Sequence, residues 1–130
     1  MSLEVRAADD ATRDAFHRLA SETAAAVAAQ RRVAFDFDAP IVNPAVAMSD
    51  GWIDRLAALC EEEAIPYLHM PSGAGHDAAV FAAAGVPSGM LFVRNRYGSH
   101  NPAEHMELDD LEAAVRVLIR ALLTPAGVER

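Results

Sequence analysis

Residues 65–85 read IPYLHMPSGAGHDAAVFAAAG. The first six of them are apolar and aromatic residues typical of a strand (65–70), a Ser-Gly-Ala-Gly turn follows, and the alanine-rich remainder predicts a helix over 76–84. A strand that enters a helix through a tight glycine turn is the repeating unit of α/β domains. This stretch therefore indicates the α/β fold class.

The same alternation continues on both sides of this stretch. Apolar spacing predicts a helix over about 50–63, a strand over 89–94 and a final helix over about 108–123. Alternating helices and apolar strands joined by short turns predict a mainly parallel sheet with flanking helices.

The first third of the chain predicts a separate β-α-β unit. After a short extended opening, Asp9 and Asp10 can cap a long helix that runs to about Gln30, because carboxylates favour the positive amino end of a helix. The strand that follows, 32–38, alternates Val33, Phe35 and Phe37 with smaller or polar residues and so has one face exposed to water. The predicted inner face of the helix consists of Phe16, Leu19, Thr23 and Val27.

Prolines at 40 and 44 punctuate the chain and predict a boundary, with one part over 1–42 and a second over 43–130. The 130 residues, 52% of them hydrophobic, suffice for a core.

No apolar run is long enough for a membrane span and no leader segment is visible, so we expect a cytoplasmic protein. Cys60 lies in an apolar helical pattern and is predicted to be a buried thiol.

The charge pattern argues against a nucleic-acid partner. The net charge is −8, and the eleven basic residues, all arginines, are scattered along the chain. A phosphate backbone is repelled by such a balance and finds no basic stripe to bind. We therefore expect neither nucleic acid nor a membrane as a partner.

Two segments that follow predicted strands carry the possible chemistry. In the first, Gly73 and Gly75 allow the backbone to approach a ligand closely, and the helix that begins near His76 adds its positive end, which suits a carboxylate or a developing oxyanion. The alternative is an ordinary strand-to-helix turn with His76 as a structural helix cap. The residues alone leave both interpretations open.

The second segment, 94–105, places His100 between a serine and an asparagine in a polar loop. A histidine at a strand end is a candidate ligand for zinc or a similar divalent ion, although the spacing alone also fits an exposed loop residue. We interpret His17, His69 and His105 as surface or scaffold residues. No histidine pair has helical metal-site spacing and no Gly-x-Ser-x-Gly nucleophile motif is present.

Three sequence blocks together resemble the carboxyl-terminal part of the family of N-carbamoyl-L-amino-acid hydrolases, allantoate amidohydrolases and β-ureidopropionases. These blocks are SGAGHDA at 72–78, GMLFV at 89–93 and GSHNPAE at 98–104. Members of this family are amidohydrolases with two zinc or manganese ions, related to aminoacylases and carboxypeptidases. The opening Leu3-Glu4-Val5-Arg6 is similar to the family's lid-domain strand, so the resemblance covers nearly the whole chain.

The resemblance implies roles for four residues. His100 is similar to the family's last metal ligand, and Gly75 with His76 is similar to the part that contacts substrate. Arg6 is similar to the lid arginine that grips a substrate carboxylate, which suits a bidentate guanidinium. Residues 1–42 would then be a lid and dimerisation remnant, and 43–130 the carboxyl-terminal part of the catalytic domain. A small carboxylate-bearing substrate and a homodimer are the implied partners.

The family's other metal-ligand blocks and its general-base glutamate have no counterpart in this sequence. The resemblance therefore implies the carboxyl-terminal portion of a metal-dependent enzyme that cleaves a carbamoyl or amide C–N bond. We expect this portion alone to contain no catalytic residue, to bind no metal tightly and to be inactive. The alternatives are a noncatalytic α/β module that dimerises or binds a small ligand, and a peptidase or aminoacylase relative.

Overall fold

The computed structural model describes residues 3–123, in which four helices are connected by irregular segments. They are α1 (Asp10–Arg31), α2 (Asp50–Glu62), α3 (Asp77–Ala83) and α4 (Leu108–Leu123). All four predicted helices are confirmed, with ends within about two residues of those expected. No helix among the described residues is both long and apolar enough to cross a bilayer.

The chain forms two compact units. The first consists of Met1–Val46 with Pro71–Gly75, and the second of Ala47–Met70 with His76–Arg130. The assignment of residues 1–42 to a lid remnant and of 43–130 to a catalytic portion stays a prediction.

Helix α1 begins with the side-chain cap that the sequence predicted. Asp9 has an extended backbone, and its Oδ1 accepts a hydrogen bond of 2.8 Å from the Thr12 backbone N–H. The Thr12 N–H is the main cause that lowers the pKa of the Asp9 carboxyl. At the other end Arg32 takes the left-handed conformation, with φ 55°, which ends the helix.

The predicted inner face of α1 is wrong. No residue of α1 is buried, and Phe16 and Leu19 expose 49% and 59% of their surface. Helical spacing identifies an apolar face, but burial also needs a second surface that packs against it. Within the described residues this face of α1 is covered only in part, with Val27 half-buried.

The predicted sheet is also wrong, both the β-α-β unit and the mainly parallel sheet. Among residues 3–123 no ladder of paired strands forms, and the one antiparallel bridge joins Arg96 to His105. Period-two patterning predicts a segment that is able to pair, whereas a sheet needs backbone hydrogen bonds to a neighbouring strand. The segment 65–70 shows the difference, because the Ile65 N–H bonds back to Cys60 O at the end of α2.

The core of the second unit lies between α2 and α4. Leu59 and Cys60 from α2 pack with Val117 and Ala121 from α4, and all four side chains are buried. Cys60 is therefore the buried thiol that was predicted, and its burial raises the pKa of that thiol. Partly buried apolar side chains surround this core, namely Trp52, Leu56, Ile65 and Leu91.

An ionic contact joins the same two helices at their edge. The guanidinium of Arg120 donates to Glu63 Oε1 at 2.6 Å and also to the Glu62 carboxylate. These side chains are partly exposed, so the contact orients the helices more than it stabilises them.

Gly89 is a position where packing tolerates no side chain. A Cβ built there would lie 2.8 Å from Trp52 Cβ, which sits next to the α2 backbone and cannot move aside. We expect Gly89→Ala to lower the free energy of unfolding by about 1–3 kcal/mol, as overpacked sites usually do. Urea denaturation measures this change.

Gly75→Ala is the control, because a Cβ there meets no atom within 4 Å. We expect Gly75→Ala to change the free energy of unfolding by less than about 1 kcal/mol. Equal destabilisation by the two substitutions would contradict the proposed contact with Trp52.

Candidate functional site

The segment Arg96–His105, called the His100 loop below, is closed at its base and strained inside. Arg96 N–H donates to His105 O at 2.8 Å, and His105 N–H donates to Arg96 O at 3.3 Å. Between these ends, Tyr97, Gly98 and His100 have φ values of 67°, 73° and 61°. Residues other than glycine rarely adopt this region, so surrounding contacts must hold Tyr97 and His100 there.

Asn101 supplies some of these contacts from inside the loop. Its Nδ2 donates to Tyr97 O at 2.8 Å and to Gly98 O at 3.3 Å, and its Oδ1 accepts from the Ala103 N–H at 2.9 Å. One side chain thus bonds both the left-handed turn at 97–98 and the returning chain. An asparagine side chain suits this place because it carries both a donor and an acceptor.

The Glu104 carboxylate supplies two further contacts. Its Oε1 accepts from Asn95 Nδ2 and its Oε2 from the His100 backbone N–H, each at 2.9 Å. Asn95 Nδ2 also approaches Ser99 Oγ at 3.3 Å. The Asn95 hydrogen bond, followed by that from His100, lowers the pKa of the Glu104 carboxyl.

The His100 side chain is exposed, and its ring makes no hydrogen bond to the residues that the structure describes. The loop thus holds the backbone of His100 and leaves its ring nitrogens available to a ligand. Such an arrangement suits a histidine that binds something outside its own loop.

The described residues do not by themselves fit a metal centre. Over residues 3–123 no group of three or more His, Cys, Asp or Glu side chains could hold a metal ion. Protein metal sites of the zinc type need at least three protein ligands. His100 offers one imidazole, and its role as a metal ligand stays a prediction.

Arg6, the predicted carboxylate clamp, contacts the glycine turn of its own unit. Its Nη1 donates to Gly73 O at 2.8 Å, and its Nε donates to Glu4 Oε1 at 2.8 Å. Gly73 is left-handed, with φ 64°. The guanidinium therefore already binds one carboxylate, that of Glu4, and ties the opening segment to the turn.

Gly75 and His76 were predicted to contact substrate. A Cβ on Gly75 would meet no atom within 4 Å, so the space beside its backbone is open. His76 is the N-cap residue of α3 with an extended backbone, yet its side chain makes no capping hydrogen bond. Instead the ring lies edge-on to Phe92, with centroids 6.3 Å apart. The backbone role as a cap is present, and the imidazole remains available for another role.

Sequence reasoning missed two ion pairs beside the base of the His100 loop, one of which reaches α4. Arg94 Nε and Nη2 donate to the two carboxylate oxygens of Asp110 at 3.0 and 2.6 Å, and this pair lowers the pKa of Asp110. Arg96 Nη2 lies 3.3 Å from Glu107 Oε1, and both side chains line a cavity of about 320 Å³. Each arginine of this cavity already has a carboxylate partner, so the cavity offers little net charge to a ligand.

Two of the four predicted site residues, Arg6 and Gly75, belong to the first unit, and His76 and His100 belong to the second. Within the first unit, Arg6 meets the glycine turn through Gly73. The roles predicted for these four residues remain predictions.

Two known proteins with similar sequences are amidohydrolases by name. The chain is 38% identical over 94 residues to allantoate amidohydrolase of Escherichia coli, covering 72% of this chain and 23% of that protein. It is 40% identical over 79 residues to an N-carbamoyl-L-amino-acid amidohydrolase of a Pseudomonas species, covering 60% and 19%.

A solved structure is similar over nearly the whole chain. The crystal structure of a hydantoinase/carbamoylase family amidase from Burkholderia ambifaria matches with a TM-score of 0.79 and 33% identity, covering 95% of this chain and 29% of that one. The chain therefore spans less than a third of the length of each of these three relatives.

The profile of one protein family matches almost the full sequence, over residues 5–124. This match and the named relatives confirm the resemblance found in the three sequence blocks. The chain belongs to peptidase family M20/M25/M40.

Proposed function

We propose that this chain belongs to an amidohydrolase that cleaves a C–N bond of the ureido group in a small carboxylate-bearing substrate, such as allantoate or an N-carbamoyl amino acid. The observation that carries the proposal is the His100 loop, in which a strained backbone presents an exposed imidazole. Strain of this kind persists where function requires it. The names of the relatives support the substrate class.

In this proposal His100 contributes one ligand to a metal centre. Zinc matches an imidazole donor better than manganese, which prefers carboxylate oxygens. The proposal requires further ligands besides His100, because residues 3–123 contain no cluster of three ligand side chains. We accordingly propose that residues 1–130 alone bind no ion tightly and hydrolyse nothing.

Arg6 is proposed to bind the substrate carboxylate, and Gly75 with His76 to contact the rest of the substrate. Support comes from Glu4, whose carboxylate already bonds the Arg6 guanidinium at 2.8 Å. Both side chains are more than half exposed, so exchange of Glu4 for a substrate carboxylate costs little. The expected homodimer stays a prediction, supported by the exposed apolar face of α1.

A panel of substrates tests the proposed reaction. Allantoate, N-carbamoyl amino acids, N-acetyl amino acids and dipeptides are assayed with zinc or manganese, using residues 1–130 alone and a protein that carries them with further metal ligands. We expect the longer protein to hydrolyse the ureido substrates at least about tenfold faster than the others. Methyl esters of the ureido substrates should lose about ten- to a hundredfold in kcat/KM, because a hydrogen bond to a charged group is lost.

Three outcomes would contradict parts of the proposal. Preferred cleavage of dipeptides would favour the peptidase alternative. Failure of the longer protein to hydrolyse any of these substrates with either metal would favour the noncatalytic module. Equal rates on the acids and their methyl esters would contradict the proposed binding of the substrate carboxylate by Arg6.

A further inference from the structure

We propose that Asn95 and Glu104 are positioning residues that hold His100 in its left-handed conformation and thereby aim its imidazole. The inference rests on the proposed function of His100 as a ligand. It assigns to two neighbouring side chains the task of fixing where that ligand points.

The contact acts through the backbone of His100 and not through its ring. Glu104 Oε2 accepts the His100 N–H at 2.9 Å, which fixes the peptide plane before His100. With the peptide plane fixed and φ at 61°, the direction of the Cα–Cβ bond is fixed too. Both ring nitrogens stay available, so the loop orients the imidazole without occupying the nitrogen atoms that would bind a metal ion.

Asn95 determines where the Glu104 carboxylate lies. Its Nδ2 donates to Glu104 Oε1 at 2.9 Å and approaches Ser99 Oγ at 3.3 Å. The carboxylate is therefore held at both oxygens, by one donor from before the loop and one from within it. A carboxylate fixed in this way cannot rotate away from the His100 N–H without losing its second hydrogen bond.

The other contacts of the loop do not replace this one. The bridge between Arg96 and His105 closes the base, and Asn101 bonds the carbonyls of Tyr97 and Gly98. Among the described residues, Glu104 makes the hydrogen bond to His100 itself. Because residues other than glycine disfavour positive φ, we expect His100 to leave this conformation when that hydrogen bond is lost.

Single and paired substitutions test the inference. In Glu104→Ala both oxygens that accept from Asn95 Nδ2 and from the His100 N–H are lost. In Asn95→Asp two carboxylates face each other. The pair Asn95→Asp with Glu104→Gln restores both bonds and the net charge, because the introduced glutamine amide then donates to the introduced aspartate while its oxygen accepts the His100 N–H.

The measurement is made by NMR on the full chain without metal or substrate. Each single substitution should speed hydrogen exchange of the His100 amide at least about tenfold and shift the His100 Cα and Cβ resonances away from left-handed values. The paired substitution should return the exchange rate to within about threefold of the original. Recovery by exchange of donor and acceptor is not expected from residues that merely fill space.

Glu107→Gln is the matched control. Glu107 lies just beyond the loop and contacts the side chains of Arg96 and His105, not His100. Glu107→Gln should leave hydrogen exchange of the His100 amide unchanged. Thermal unfolding of every variant distinguishes local opening of the loop from global destabilisation. Unchanged His100 exchange in both single variants would overturn the inference, and so would failure of the paired substitution to restore it.

Failure of the positioning role and failure of the ligand role give different results. If the single variants release His100 but hydrolysis does not depend on the His100 ring, the positioning role stands and the ligand role falls. In a protein that hydrolyses ureido substrates, the single variants should lower turnover by about ten- to a hundredfold, the usual effect of removing a residue that orients a ligand.

Discussion

Replacing Leu59 with alanine is expected to lower the free energy of unfolding by about 2–5 kcal/mol. Leu59 is fully buried between α2 and α4, where it packs against Val117 and Ala121. The buried cluster is small, so few neighbouring side chains are available to collapse into the cavity. Since domains are stable by only about 5–15 kcal/mol, this one change removes a large share of the total. Urea denaturation followed by circular dichroism measures it.

Leu122→Ala is the matched control, because it makes the same chemical change at a helical position that is 76% exposed. Its effect should stay within about 0.5 kcal/mol. The two variants share any change in helix propensity, so their difference isolates burial. Equal losses in the two variants, or a loss below about 1 kcal/mol for Leu59→Ala, would show that the α2–α4 contact is not the core.

Helices were predictable from the sequence because their signals are local. Asp9 precedes α1 and caps it through Thr12, three residues away. The apolar spacing of α2 and α4 also lies within each helix, and in the structure Leu59 of α2 packs with Val117 of α4. The exposed Phe16 and Leu19 of α1 mark the limit of this reasoning, because a helical pattern says nothing of what packs against it.

Strands could not be predicted in the same way, because pairing is a property of two segments. The alternation in 33–38 and the apolar run in 65–70 describe residues that favour an extended chain. Neither pattern names a partner, and within the described residues neither segment pairs with another. The bridge that does form, between Arg96 and His105, lies in a polar loop without any strand pattern.

The sequence indicated where the candidate site lies but not which hydrogen bonds hold it. Sequence motifs pointed to the loop around His100, but spacing and composition did not predict the hydrogen-bond partners of Glu104. The hydrogen bond from Asn95 to Glu104 joins residues nine positions apart. The chain between them takes left-handed conformations at Tyr97, Gly98 and His100, which no sequence pattern predicted. The ion pair between Arg6 and Glu4 could have been predicted, because residues two apart in an extended segment point to the same face.

His100→Gly is expected to raise stability while it abolishes function. His100 has φ 61°, a region that costs residues other than glycine about 1–2 kcal/mol. Glycine removes this cost but loses about 0.5–1 kcal/mol more conformational entropy on folding, so the free energy of unfolding should rise by up to about 1.5 kcal/mol. Loss of the imidazole should lower hydrolysis of ureido substrates more than about a hundredfold, beyond the effect of removing an orienting residue.

Two further variants separate the ring from the backbone. His100→Ala removes the imidazole and keeps the strain, so hydrolysis should fall as far with no gain in stability. Ala64→Gly relieves a left-handed residue of φ 52° just after α2, and should give a similar gain with hydrolysis unchanged. Denaturation curves are measured for all three variants of residues 1–130, and ureido turnover is measured for the same substitutions in the longer protein that carries further metal ligands. A stabilised, inactive His100→Gly beside an active Ala64→Gly would mean that the loop keeps a strained histidine for its ring, whereas a His100→Ala variant that retains activity would show that the ring is not needed.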